Sequence, residues 1–145
     1  MATIDPQLMR DIIMDHYEYP RNHSLVEDAK YISKHMDSDS CIDDITVQAD
    51  IENDVIKDIR FDGVACTIST SSTSIMTELV LGKTLDEARE IVKNYFAMID
   101  EEDFDDDLLE EAIAFKNVGK QANRINCATI GWKALRQMLE ESEEA

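Results

Sequence analysis

The segment "ITVQADIENDVIKDIRF", residues 45–61, contains two runs in which apolar and polar side chains alternate, 45–51 and 55–61, with Glu-Asn-Asp between them. Alternation with a period of two lets a strand bury one face, and a polar break between two such runs predicts an antiparallel hairpin. Downstream, Asp62–Gly63 has turn chemistry, and "ACTIS", residues 65–69, suits a third short strand. Upstream, "KYISKHMD", residues 30–37, fits either an extended connection or a short helix.

The segments flanking this hairpin carry helical spacing instead. "DPQLMRDIIMDHY" opens with Asp5 as a cap and Pro6 in the first turn, and Leu8, Met9, Ile12, Ile13 and Tyr17 form its apolar stripe. Pro20 ends that helix, because a proline disfavours helical geometry at the residue before it. "SSTSIMTELVLG" predicts a second helix with Gly82 as its C-terminal signal. Thr84 and Glu87 form a capping box for a third helix reaching about Met98. A short helix is expected around Leu108–Ala114, and Ile125, Ala128, Trp132, Leu135 and Leu139 supply the buried stripe of a last one. Gly131 within that helix permits close packing. Strands followed by helices, without strand–helix–strand alternation, predict an α+β fold with an antiparallel sheet covered by helices. The length of 145 residues suits one domain spanning 1–145.

Charge and composition narrow the function classes. The formal charge of −18 repels nucleic-acid phosphates and anionic lipid surfaces, so no nucleic-acid or membrane partner is expected. The N-terminus lacks a basic segment followed by an apolar one, and no apolar run is long enough to span a bilayer, which predicts a cytoplasmic protein. "DEEDFDDDLLEE", residues 100–111, concentrates acidic residues that suit either a basic surface or plain solvation. Ser69–Ser74 has no glycine-rich, lysine-terminated phosphate loop.

The chemistry concentrates on three cysteines, Cys41, Cys66 and Cys127, an odd number at wide separations and no secreted disulfide framework. Each falls where a segment begins or ends, Cys127 near the N-terminus of the last helix. Asp43 follows Cys41 by two positions. Three thiolates and a carboxylate make a sensible tetrahedral zinc set, in which the oxygen is the harder and more exchangeable donor. Arg124, one turn before Cys127, is placed to offset the surplus negative charge. The spacings match no zinc-finger or zinc-ribbon pattern, however, and "VACTIS" reads equally well as a buried strand carrying an inert cysteine. His16, His23 and His35 show no ligand spacing and suit surface or helix-packing roles, while Met9, Met14, Met76 and Met138 suit core stripes.

Three further stretches carry a resemblance. "IIMDHYEYPRN" (12–22), "GVACTISTSSTSIM" (63–76) and "RINCATIGWKAL" (124–135) resemble the opening helix and the second and third cysteine motifs of the SufU/IscU superfamily, nearer the SufU branch. The resemblance implies a three-stranded antiparallel sheet with several helices, and Zn²⁺ on Cys41, Asp43, Cys66 and Cys127. It implies a sulfur acceptor that takes persulfide sulfur from a SufS-like cysteine desulfurase and works with other iron–sulfur assembly proteins. Cys41 would be the cysteine displaced from zinc by a partner histidine and the residue that accepts sulfur, with Arg124 offsetting charge beside the site. The superfamily also implies two alternatives: a scaffold on which an iron–sulfur cluster is built, or a non-catalytic binding module of the same fold. The first motif departs from the pattern, with Asp37 and Ser38 in place of Asn-Pro and Ile42 in place of glycine; Asn126 precedes the last cysteine, where the branches carry histidine or lysine.

Overall fold

Asn53 and Asp54 close the hairpin with φ of 53° and 60°. This left-handed pair matches the right-handed twist of the strands it joins, and Asn and Asp tolerate it better than other non-glycine residues. The computed structural model describes residues 5–37 and 43–144, with backbone alone at 119, 122, 123 and 142–144. The hairpin strands are β2 (Asp44–Glu52) and β3 (Val55–Val64). Ile45, Val47 and Ala49 of β2 and Ile56, Ile59 and Phe61 of β3 are buried. The odd step from Ile56 to Ile59 is reconciled by a register shift: Asp50 pairs with Asp58 but Ile51 pairs with Ile56. Lys57 is therefore the extra residue of a bulge, and both flanking isoleucines reach the core.

The third strand is β1 (Ile32–Asp37), antiparallel to β2, giving the order β1-β2-β3. The undecided stretch 30–37 thus supplies the sheet edge, and "ACTIS" does not. Cys66 instead caps helix α2 (Thr67–Val80), its side chain accepting the Ser69 amide hydrogen. Asp62–Gly63 is likewise no turn. Gly63 continues the ladder opposite Ile45 with φ of +135°. A short apolar run flanked by Ser and Thr is ambiguous, because hydroxyl-rich segments serve helix starts as readily as strand ends.

The other helices are α1 (Pro6–Glu18), α3 (Leu85–Ile99), α4 (Asp106–Leu109) and α5 (Ala122–Glu144), with 3-10 segments at Glu110–Phe115 and Val118–Lys120. Asp5 caps α1 through the Leu8 amide, and the Thr84–Glu87 capping box of α3 is closed in both directions. The expected stripe of α1 is only partly realised. Leu8 and Tyr17 are 46% and 42% exposed, Met14 is exposed too, and fully buried His16 is the residue that enters the interior. Periodicity marks an apolar face, but the neighbouring elements decide how much of it is covered.

Helix α2 lies centrally, touching α1 and α5. Its buried hydroxyls are satisfied: Ser71 donates to the Thr67 carbonyl, Thr73 to the Ser69 carbonyl, and Ser72 to the Ala128 carbonyl of α5. Gly131 is what allows α5 so close, since a Cβ there would lie 2.4 Å from Thr73 Oγ1. Trp132, Leu135 and Leu139 of α5 are buried as their spacing predicts. Among the described residues no helix is long and apolar enough to cross a membrane.

Candidate metal centre

The hairpin register begins the site. Asp44 pairs with Val64 and Ile45 with Gly63, so Asp43, just before β2, faces the residues that follow β3. The Cys66 amide donates to Asp43 Oδ1 at 2.8 Å, and the Cys66 thiol lies 3.8 Å from Asp43 Oδ2. The Ser69 hydroxyl donates to the same Oδ2 and lies 3.3 Å from Cys66 Sγ. Asp43 is 1% exposed. A buried carboxylate requires such donors, because leaving it unpaired would carry a large desolvation penalty.

Close packing of α5 on α2 brings the third residue. Cys127 is buried, and one ligand atom each from Asp43, Cys66 and Cys127 lie within 4.8 Å of one another. A tetrahedral zinc with one sulfur and one oxygen ligand spaces those two donors by about 3.5 Å, given the usual bond lengths. The observed 3.8 Å between Cys66 Sγ and Asp43 Oδ2 suits that edge. Two sulfurs and a carboxylate are donors that zinc favours, so the residues present fit the metal.

Cys127 lies near the N-terminus of α5 but five residues past Ala122, its first residue, and so beyond the turn with unpaired amides expected to favour its thiolate, whereas Cys66 is itself the N-cap of α2. Arg124 is exposed one turn before Cys127. Cys41 and Ile42 lie outside the described residues. Sequence does not single out Ser69, because its hydroxyl meets Asp43, 26 residues away, only once the start of α2 packs against the start of β2.

Gly63 holds the two halves of this arrangement at close range. A Cβ at Gly63 would fall 2.0 Å from the Asp44 carbonyl oxygen, and φ of +135° is itself costly for any other residue. Gly63→Ala is expected to lose about 1–3 kcal/mol from backbone strain alone. It should also push the Asp43 segment off Cys66 and weaken zinc binding, checked by denaturant unfolding and zinc titration of the same variant.

The profile described as "NifU-like N terminal domain" matches residues 8–144. The chain belongs to the NifU-like N-terminal domain family. Its relatives include the zinc-dependent sulfurtransferase SufU of Bacillus subtilis (strain 168), 34% identical over 143 residues, covering 98% of this chain and 95% of that one. The iron-sulfur cluster assembly scaffold protein IscU of Streptococcus pyogenes serotype M1 is 32% identical over 135 residues, covering 92% and 84%. The crystal structure of a putative iron-sulfur cluster assembly scaffold protein for the SUF system, FiSufU from Fervidobacterium islandicum AW-1, superposes with a TM-score of 0.82 at 33% identity, covering 89% of this chain and 94% of that one. In this NifU-like chain the α+β architecture and three-stranded antiparallel sheet expected from sequence are present. Its Asp43, Cys66 and Cys127 form a possible metal site.

Proposed function

We propose that this NifU-like chain is a zinc-dependent sulfur acceptor that takes persulfide sulfur from a cysteine desulfurase for iron–sulfur cluster assembly. The observation that carries the reading is the convergence of Asp43, Cys66 and Cys127, three residues from distant parts of the sequence, on one partly buried point. Cys41 stands two residues before Asp43 in sequence, within reach of the same centre along the chain. It completes a four-ligand set with Asp43, Cys66 and Cys127.

Bound zinc would hold the cysteines deprotonated, as thiolates. Asp43 holds the Cys66 loop through the Cys66 amide, and Ser69 holds Asp43 in turn. In the transfer step the Cys41 thiolate attacks the terminal sulfur of the desulfurase persulfide. A new sulfur–sulfur bond forms on Cys41, the old one breaks, and the desulfurase cysteine leaves as its thiolate. Arg124 offsets the negative charge of the ligand set. The name of the Bacillus subtilis relative, a zinc-dependent sulfurtransferase, supports this reading.

Protein purified without oxygen is expected to carry one zinc per chain. Incubated with the host desulfurase and cysteine, it should gain the mass of one sulfur atom on the Cys41 peptide. Iron with acid-labile sulfide in place of zinc would favour the scaffold role in the name of the Streptococcus pyogenes relative. Zinc without sulfur gain would favour a binding module. A β-branched residue at 42 opposes the backbone freedom a glycine would have there. Ile42→Gly is therefore expected to raise desulfurase stimulation several-fold, and equal stimulation by both chains would refute that role for the side chain.

A further inference from the structure

We propose that His16, Glu78 and Glu111 form a second divalent-cation site, of nitrogen–oxygen character, where α1, α2 and the 3-10 segment Glu110–Phe115 meet. His16 is fully buried, yet among the described residues its Nε2 has no hydrogen-bond partner. That atom faces two carboxylates, 3.6 Å from Glu78 Oε1 and 3.6 Å from Glu111 Oε1. One ligand atom from each of the three residues lies within 4.8 Å of the other two.

The separations are those of ligands around a cation rather than of hydrogen-bonded groups. A direct N–H···O bond closes to about 2.7–3.2 Å. Nitrogen and oxygen ligands on a tetrahedral zinc stand about 3.3 Å apart, given metal bonds near 2.0–2.1 Å. Contacts of 3.6 Å are too long for the first arrangement and slightly open for the second.

The imidazole is prepared for this role. Burial, followed by the nearby Arg21 charge, holds the His16 pKa below its ordinary value against the opposing pull of Glu111 and Glu78. Its other nitrogen, Nδ1, lies 2.8 Å from Ser74 Oγ. The same oxygen accepts the Arg21 amide hydrogen at 2.9 Å. Ser74 Oγ can accept from an Nδ1–H, and in that tautomer Nε2 is the free donor atom; orientation of this kind is usual for metal-binding histidines. The two glutamates are half exposed, which leaves an entry path and room for water ligands. Their charge of −2 balances a divalent ion, with Arg21 Nε 3.7 Å from Glu78 at the margin.

This centre lies along α2 from the cysteine centre, with Glu78 about three turns past Cys66, or roughly 18 Å of helix rise. Its donors are harder than thiolates, so it takes Zn²⁺, Co²⁺ or Fe²⁺ as a second equivalent, after the sulfur-rich centre. Sequence offered no ligand spacing for His16, because its partners stand 62 and 95 residues away and only the packing of three elements joins them.

Cobalt titration of the full metal-free chain tests the site. The expected result is two equivalents bound: one with intense sulfur-to-cobalt charge-transfer absorption, the other with weak ligand-field bands alone and a shifted His16 ring resonance. The double variant Glu78→Gln, Glu111→Gln alters only half-exposed side chains and leaves buried His16 in place. It should weaken the second equivalent about tenfold or more, since even loss of an outer-shell partner commonly costs that much, and leave the charge-transfer band unchanged. A single equivalent in the native chain, or a second one indifferent to the double variant and to the His16 resonance, overturns the proposal.

Discussion

Asp43→Ala is expected to destabilise the metal-free protein by about 2–5 kcal/mol, because two buried donors lose their acceptor at once. The Cys66 amide and the Ser69 hydroxyl both end on this carboxylate, one on each oxygen. The variant should also lose the stabilisation that added zinc gives the native chain, since a metal that binds only the folded state stabilises it by mass action. Asp43→Asn separates these effects. Its amide oxygen can still accept from Cys66, so metal-free stability should stay within about 1 kcal/mol of native, while the missing charge weakens zinc binding about tenfold or more. Urea unfolding with chelator and with one equivalent of zinc measures both. Unchanged metal-free stability in the alanine variant would remove Asp43 from the structural role, and undiminished zinc stabilisation in the asparagine variant would remove it from the metal.

Trp132→Ala is expected to cost about 3–5 kcal/mol, the usual loss when a large aromatic residue leaves a packed core. Trp132 is fully buried and stacks on Tyr95 with ring centres 3.8 Å apart and planes 3° from parallel. Its Nε1 donates to Ser72 Oγ at 3.0 Å, and Ser72 and Tyr95 both donate to the Ala128 carbonyl. Ala128 follows Cys127, so loosening this network also loosens one wall of the metal centre. A lower denaturation midpoint with unchanged slope, together with weaker zinc binding, is the expected pair of results. Trp132→Phe keeps one aromatic ring but loses the Nε1 donor and part of the indole volume, so it should cost about 2 kcal/mol, less than the alanine variant. Equal losses in the two variants would show that the remaining ring contributes nothing to holding α5 on α2.

Local rules read directly from residues identified the hairpin, its turn, the Asp5 and Thr84 caps and the buried stripe of α5. Each depends on neighbours within a few positions, and the periods of strand and helix are visible in the chain itself. Residues 30–37 and 65–69 resisted the same reading, since both are short and the choice between strand, helix start and connection depends on which edge of the sheet lies open. The bulge at Lys57 needed cross-strand pairing to be seen at all. The three residues of the metal centre were nameable from chemistry, but their meeting was not, because spacings of 23 and 61 residues encode no distance until the hairpin register and the α2–α5 contact are formed. His16 shows the same limit most plainly. Its sequence context suits an ordinary helix-packing histidine, and only the tertiary fold turns its buried nitrogen toward two glutamates, since burial and long-range convergence belong to the packed whole rather than to any stretch of sequence.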